Sequence, residues 1–192
     1  MTSRFSPSQA KLKEQLQKLS YKERDIVLAS GQKSSYYFDC KQTSLHAEGA
    51  VLIGELFYAA LQDLNLLPHI VGVGGMTLGA DPLVTAVSFT ASQHQTPLHA
   101  FIIRKEPKKH GTSQWIEGAE NFKPRDRVVI LEDVVSTGGS SLKACDRAEE
   151  FGLQIDAVLT IIDRELGGKE AILQRGYQFF SLFTKSDFSI SP

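Results

Sequence analysis

Glu132 and Asp133 stand side by side directly after the apolar run Val128-Val129-Ile130-Leu131, and Val134-Val135-Ser136-Thr137-Gly138-Gly139-Ser140-Ser141 follows them. Three of the four apolar residues are β-branched, which reads as a buried strand. Two carboxylates at or near the carboxyl end of such a strand lie where an open α/β sheet presents its ligand crevice. The Ser/Thr/Gly turn opens into a predicted helix over residues 141–151, whose first N–H groups and dipole form an anion site. Acids suited to polyol hydroxyls and metal-bound oxygens therefore sit beside a cradle for phosphate, and that pairing fits a sugar phosphate. A lone acidic pair would read as solvated charge; acids, Ser-Thr-Gly-Gly turn, strand and helix in register argue against that.

This run resembles the signature loop of the type I phosphoribosyltransferases, which use phosphoribosyl pyrophosphate (PRPP). The resemblance implies that Glu132 and Asp133 engage the ribose hydroxyls. It implies equally that Val134, Val135, Ser136, Thr137, Gly138, Gly139 and Ser140 wrap the 5′-phosphate. Two other glycine-rich readings fail. Gly74-Gly75-Met76-Thr77-Leu78-Gly79-Ala80-Asp81 has the glycine spacing of a P-loop without its Lys-Ser/Thr pair, and the dinucleotide fingerprint that Gly72 starts meets Thr77 where its third glycine belongs. What remains is a glycine-rich loop after a predicted strand at 70–73, where backbone can approach a ligand closely. In the resembled family a loop here contacts pyrophosphate, which assigns that role to Gly74 through Thr77.

After a predicted strand at 98–103 the chain reads Arg104-Lys105-Glu106-Pro107-Lys108-Lys109-His110-Gly111. Such a charge run is ordinarily a solvated loop. Here the preceding strand should end on the same sheet edge as Asp133, where a departing pyrophosphate needs positive charge. Arg104, Lys105, Lys108, His110 and Gly111 fall on the lid positions of those family members that use orotate, in which the lid is mobile and reaches the neighbouring subunit of a homodimer. The segment from Ser30 to Phe38 resembles their hood over the base, and Asp163-Arg164-Glu165 with Gly167-Gly168 resembles their orotate-associated arginine motif. Arg164 at a strand end could pair bidentately with the orotate carboxylate.

The resemblance thus implies catalytic roles for Glu132, Asp133, Lys105, Lys108 and His110. It implies PRPP contacts from these residues, Arg104 and the phosphate turn, and orotate contacts from Tyr37, Phe38, Thr137 and Arg164. Magnesium is implied, carried by PRPP and water with no direct side-chain ligand assigned. The reaction implied is phosphoribosyl transfer from PRPP to orotate in pyrimidine (UMP) synthesis. Transfer to another nucleobase, or a non-catalytic PRPP-sensing regulator that binds nucleic acid, stay open as alternatives. The chain departs from many relatives in having Ala29 before the hood Ser-Gly, and Met76 and Thr77 in the loop, where lysines are common. Lys33, Lys41 or the lid could supply that charge.

These residues need a frame. A length of 192 residues is a prior for one domain, read here as a hood over about 1–45 and a core over about 46–185. Such a chain can bury roughly 70% of its unfolded surface. Net charge is −1 with 22% charged residues, so no global field recruits nucleic acid or membrane. Cys40 and Cys145 form no zinc pattern, and Cys145 falls on the apolar side of its helix, where core packing is its expected role. No run is long enough to span a membrane, and the first residues form no secretory h-region, so a cytoplasmic protein is expected.

Helices are predicted from Pro7 with Leu12, Leu16 and Leu19 on one face, over 46–64 with Leu52, Leu56, Ala59 and Ala60 inward, over about 79–93, and around 169–175. Further strands are predicted at 34–40, 157–162 and 177–183, with a frayed tail from 186. This alternation predicts an α/β fold of the type I phosphoribosyltransferase kind: a mainly parallel sheet flanked by helices, with a small N-terminal hood.

Overall fold

Ser6 starts the first helix, α1 (Pro7–Gln15), by a reciprocal cap: its hydroxyl accepts from Gln9 N at 3.2 Å, and the Gln9 side chain accepts from Ser6 N at 3.0 Å. The computed structural model describes residues 6–27, 33–107 and 115–188. A π turn over Leu16–Ser20 prolongs α1, so the buried positions run Leu12, Leu16, Ser20 and Leu19 is only half-buried. An antiparallel ribbon follows, β1 (Tyr21–Val27) against β2 (Lys33–Phe38). Only its second strand was expected, because the run Lys22-Glu23-Arg24-Asp25 shows no alternation.

After α2 (Lys41–Ser44) comes α3 (Ala47–Asp63), within one residue of the expected ends and capped by His46, whose imidazole accepts from Gly49 N at 3.4 Å. Its buried face centres on Ile53, Phe57 and Leu61, and Ala59 is exposed, contrary to expectation. The rest of the expected face holds, with Leu52 and Ala60 buried and Leu56 packed against the core beside the larger Ile53, Phe57 and Leu61. Beyond it lie β3 (Gly72–Met76), α4 (Asp81–Gln93), β4 (His99–Ile103) and the short β5 (Ile116–Glu117). The chain ends in β6 (Arg127–Val135), α5 (Gly139–Phe151), β7 (Gln154–Asp163), α6 (Gly168–Gln174) and β8 (Gln178–Thr184).

The main sheet has the order β5-β4-β3-β6-β7-β8, parallel throughout except for β5. Along β6, Val129 and Leu131 face the layer holding α1, α3 and α4, and Val128 and Ile130 face the layer holding α5 and α6. Apolar residues on both faces are what a parallel strand covered on both sides requires. Tyr36 and Phe38 of the ribbon join the first of these clusters, which anchors the hood on the core. Cys145 lies fully buried in the second, and burial pushes its thiol up to about 12, as suits a packing residue.

Candidate active site

From β3 the chain moves outward to β4, then returns to lay β6 on the other side of β3. The order therefore reverses between β3 and β6, and the carboxyl ends of such strands open a crevice. A cavity of about 530 Å³ lies there. It receives Thr77, Leu78 and Gly79 after β3, Lys105 after β4, the acids and turn of β6, and Arg164 after β7.

Neighbouring strand residues project to opposite faces, and the two acids separate accordingly. Glu132 is buried, with Ser141 Oγ of α5 donating to its Oε2 at 3.4 Å and Asp133 N donating to its Oε1 at 3.3 Å. Burial, then the nearby Asp133 charge, pushes its carboxyl well above the usual glutamate range. Asp133 turns the other way. Its Oδ1 accepts from Val134 N at 2.9 Å and lies against Gly79, where an added Cβ would come within 2.6 Å of it. Its Oδ2 is 4.0 Å from the Lys41 ammonium.

The turn after β6 ties its carbonyls to neighbouring backbone. Val135 O accepts from Arg164 N at 2.8 Å and Ser136 O accepts from Gly168 N at 2.9 Å. Gly138 adopts φ +82°, and its carbonyl takes the first helical bond from Leu142 N at 2.8 Å. The amides of Gly139, Ser140 and Ser141 thus begin α5 with no intrahelical acceptor, beside the cavity. Gly168 is required for this close approach, since a Cβ there would lie 2.6 Å from Ser136 O and 2.9 Å from Gly138 N.

The glycine loop is placed differently from the expectation. Gly74 and Gly75 lie inside β3, two residues before the loop opens. A Cβ on Gly74 would meet the Phe101 ring at 2.2 Å, and one on Gly75 would meet Leu131 O at 2.2 Å. These glycines serve close packing around the sheet. The segment that reaches the cavity is Met76 to Gly79, so of the expected Gly74–Thr77 set only Met76 and Thr77 line it. The peptide between Thr77 and Leu78 is cis, and Thr77 Oγ1 donates to Asp81 Oδ2 at 2.9 Å.

Towards the hood, Tyr37 and Phe38 line the cavity with Arg164. Arg164 is 3% exposed, its guanidinium carbon 4.6 Å from the Tyr36 ring centre and its Nε donating to the Tyr36 hydroxyl at 3.4 Å. A buried guanidinium held this way is preorganised for an anionic ligand group. The preceding Asp163 is also buried; desolvation raises its carboxyl, against the bond it accepts from Glu165 N at 2.9 Å.

Of the expected lid residues, Lys105 reaches the cavity. Arg104 does not line it: its Nη1 pairs with Glu117 at 2.9 Å, across the β4–β5 ladder. Lys108, His110 and Gly111 lie outside the described residues, as do Ala29 and residues 189–192; residues 186–188, expected to fray, instead complete a 3-10 turn (Lys185–Asp187) and bury Phe188. Val134, Val135, Ser136, Thr137, Gly138, Gly139 and Ser140 all line the cavity as expected. Leu78, Gly79, Ser141 and Lys143 were not singled out from the sequence. Lys143 carries a readable signal, a cation one turn into a helix that starts at an anion cradle. Among the described residues, no group of three His, Cys, Asp or Glu side chains could hold a metal, and no helix is long and apolar enough to cross a membrane.

No family model matches the chain. Curated relatives do. The chain is 46% identical over 187 residues to the orotate phosphoribosyltransferase of Nostoc sp., covering 97% of this chain and 87% of that protein. The protein of the same name from Aquifex aeolicus is 42% identical over 180 residues, 92% of this chain and 95% of the relative. The solved structure of Mycobacterium tuberculosis orotate phosphoribosyltransferase in complex with PRPP is similar with a TM-score of 0.77 and 32% identity, over 96% of this chain and 100% of that one.

Proposed function

The chain belongs to the orotate phosphoribosyltransferases, and from that premise we propose that it transfers the phosphoribosyl group of PRPP to orotate, releasing orotidine 5′-monophosphate and pyrophosphate. The observation that carries this reading is one cavity shared by three groups: the Glu132–Asp133 pair, the amides that open α5, and the buried guanidinium of Arg164. The first two suit a ribose and its 5′-phosphate, and the third suits an acceptor that bears a carboxylate.

In this mechanism the C–N bond to the orotate ring forms as the C–O bond to pyrophosphate breaks, and positive charge develops on the ribose. Asp133 and Glu132 accept hydrogen bonds from the ribose hydroxyls and orient the ring against the base. Lys105, with Lys108 and His110 of the lid, neutralises the charge gathering on pyrophosphate. Arg164 grips the orotate carboxylate, with Tyr37, Phe38 and Thr137 around the ring. No side-chain nucleophile takes part, and the rate comes from positioning and electrostatics. Arg104 sits at the base of the lid, paired with Glu117 in the unliganded chain, and adds its charge to the PRPP side from there.

Magnesium belongs to this proposal. The carboxylates and hydroxyls around the cavity are hard oxygen donors, the chemistry that ion prefers, although no side chain is assigned as its direct ligand. Bound to PRPP oxygens, it would supply charge neutralisation on the leaving group. A single domain, a homodimer that shares its lids and a cytoplasmic location complete the reading; the exposed Leu45, Val51 and Phe89, outside the cavity, support a covered face.

The test is a spectrophotometric assay with PRPP, Mg2+ and orotate, read as loss of orotate's ultraviolet absorbance, beside matched reactions with other nucleobases. Turnover of orotate above all other bases is the expected outcome. Turnover of a purine alone, or salt-dependent nucleic-acid binding with no turnover, would refute the proposal.

A further inference from the structure

Lys41 opens α2, at the junction between the hood ribbon and the core, and its side chain reaches the cavity wall. Its ammonium lies 2.8 Å from Asp39 Oδ1 and 4.0 Å from Asp133 Oδ2. Taking the cavity as a PRPP site, we propose that Lys41 is the positioning residue for Asp133, holding the ribose-binding carboxylate in the orientation that faces the ligand.

Each side of that carboxylate has an identifiable neighbour. Val134 N donates to Oδ1, and the backbone of Gly79 leaves no room behind the same oxygen. Oδ2 is the oxygen left to turn, and the ammonium of Lys41 is the cation beside it. Among the described residues, this is the ion pair that reaches either cavity acid.

Lys41 is itself held. Asp39 Oδ2 accepts from Gln42 Nε2 at 3.1 Å, and Asp39 N donates to Ser20 O at 2.9 Å, so the anchoring carboxylate is fixed to both α2 and the end of the π turn. Burial works against the charge on Lys41, yet the bond to Asp39 and the nearby Asp133 raise its ammonium above the ordinary lysine value. The side chains of Lys41, Asp39 and Asp133 are 34%, 19% and 16% exposed, so water and salt screen the network less than a surface pair. The arrangement also answers the departure at Met76 and Thr77. The chain lacks a lysine after β3, and the hood brings one to the same wall from α2.

A double-mutant cycle separates this role from its rivals. Magnesium–PRPP affinity is measured by calorimetry for the full chain and for Lys41→Ala, Asp133→Asn and the double variant, with kcat, both Michaelis constants and melting temperatures recorded alongside. Lys41→Ala is expected to weaken PRPP about tenfold, and to weaken it less than about twofold once Asp133 is already Asn, the non-additivity of a residue acting through its neighbour. Lys41→Arg should recover most of the loss, and the Michaelis constant for orotate should stay within about twofold, a specificity that general loosening of the hood would not give. Additive losses would overturn the proposal in favour of direct contact between Lys41 and PRPP. Equal losses for orotate and PRPP together with a lowered melting temperature would overturn it in favour of a purely structural lysine. A wild-type chain that binds PRPP and leaves orotate unchanged would refute the acceptor alone and leave the cycle readable; one that binds no PRPP would end both.

Discussion

Gly79→Ala should uncouple activity from stability, because the three atoms nearest the added methyl group all belong to the Asp133 carboxylate. The new Cβ would lie 2.6, 2.8 and 3.0 Å from the Oδ1, Cγ and Oδ2 atoms of Asp133. Non-bonded carbons settle at about 3.5 Å, so the carboxylate must retreat by roughly half an ångström to one ångström. That retreat stretches the 2.9 Å bond from Val134 N and turns Oδ2 away from the ribose side. A misplacement near 1 Å costs about 100-fold in rate, or about 2.7 kcal/mol of barrier. Stability behaves otherwise. The backbone of Gly79 lies outside the left-handed region, so alanine is tolerated there and restricts the unfolded chain by about 0.4–1 kcal/mol. Weakening one hydrogen bond costs about as much, near 1 kcal/mol. The melting temperature should therefore move by no more than about 4 °C in either direction. Steady-state kinetics with PRPP varied at saturating orotate, beside differential scanning calorimetry, checks both halves. Activity within threefold of wild type at unchanged stability would refute the placing of Asp133 against the ribose.

Arg164→Ala should raise the Michaelis constant for orotate by about 10- to 100-fold, the worth of one or two charge-assisted hydrogen bonds, and leave calorimetric PRPP affinity nearly unchanged; a parallel loss of PRPP affinity would contradict the assignment to the base. Glu132 has a folded-state carboxyl raised by burial and by Asp133, so its contribution to stability is complete below the ordinary glutamate value and is lost as pH rises through the folded value. Melting temperatures of the unliganded protein should fall with rising pH over that window, and Glu132→Gln should flatten the fall; identical pH profiles for the two proteins would refute it. Neither Lys108→Ala nor Asp133→Asn should be active alone, but their mixture should regain about a quarter of wild-type activity if lids cross a statistically exchanged dimer interface. No recovery after verified subunit exchange would confine each lid to its own subunit.

The parts of the site that were legible in the sequence are those contiguous in the chain. Strand, acids, turn and helix from Val128 to Phe151 follow one another, so alternation and glycine chemistry are enough to order them. Arg164 was also readable, since it follows a strand whose apolar run is unambiguous. The glycine loop was displaced because Gly74 and Gly75 carry two meanings: close backbone approach to a ligand, and close packing beneath Phe101 and Leu131. Only the sheet order decides between them. Gly79 was missed for the same reason, as its neighbour Asp133 is distant in sequence and adjacent only across the β3–β6 reversal. The pairing of Arg104 with Glu117 was not legible, because a charge run does not disclose its partner and β5 is too short to announce itself.

The hood acts at both ends of the cavity through different chemistry. At one end Lys41 faces Asp133 after β2, and at the other Tyr36 of β2 carries Arg164 on its ring and hydroxyl. Tyr36 and Lys41 are separated by five positions, so a single rigid shift of this segment would disturb donor and acceptor sites together. The ribbon's own pairing is too small to fix that position, since a two-stranded ribbon is marginal in water. Its place is set instead by Phe38, buried against Phe188 with ring centres 4.9 Å apart, and by the bond from Asp39 N to Ser20 O. Apolar packing on the core thus fixes the hood, and the hood in turn sets Lys41 beside Asp133 and Tyr36 beside Arg164. Substitutions at Phe188, which anchors the ribbon without lining the cavity, should accordingly affect the PRPP and orotate constants in parallel, whereas Lys41 and Arg164 separate them.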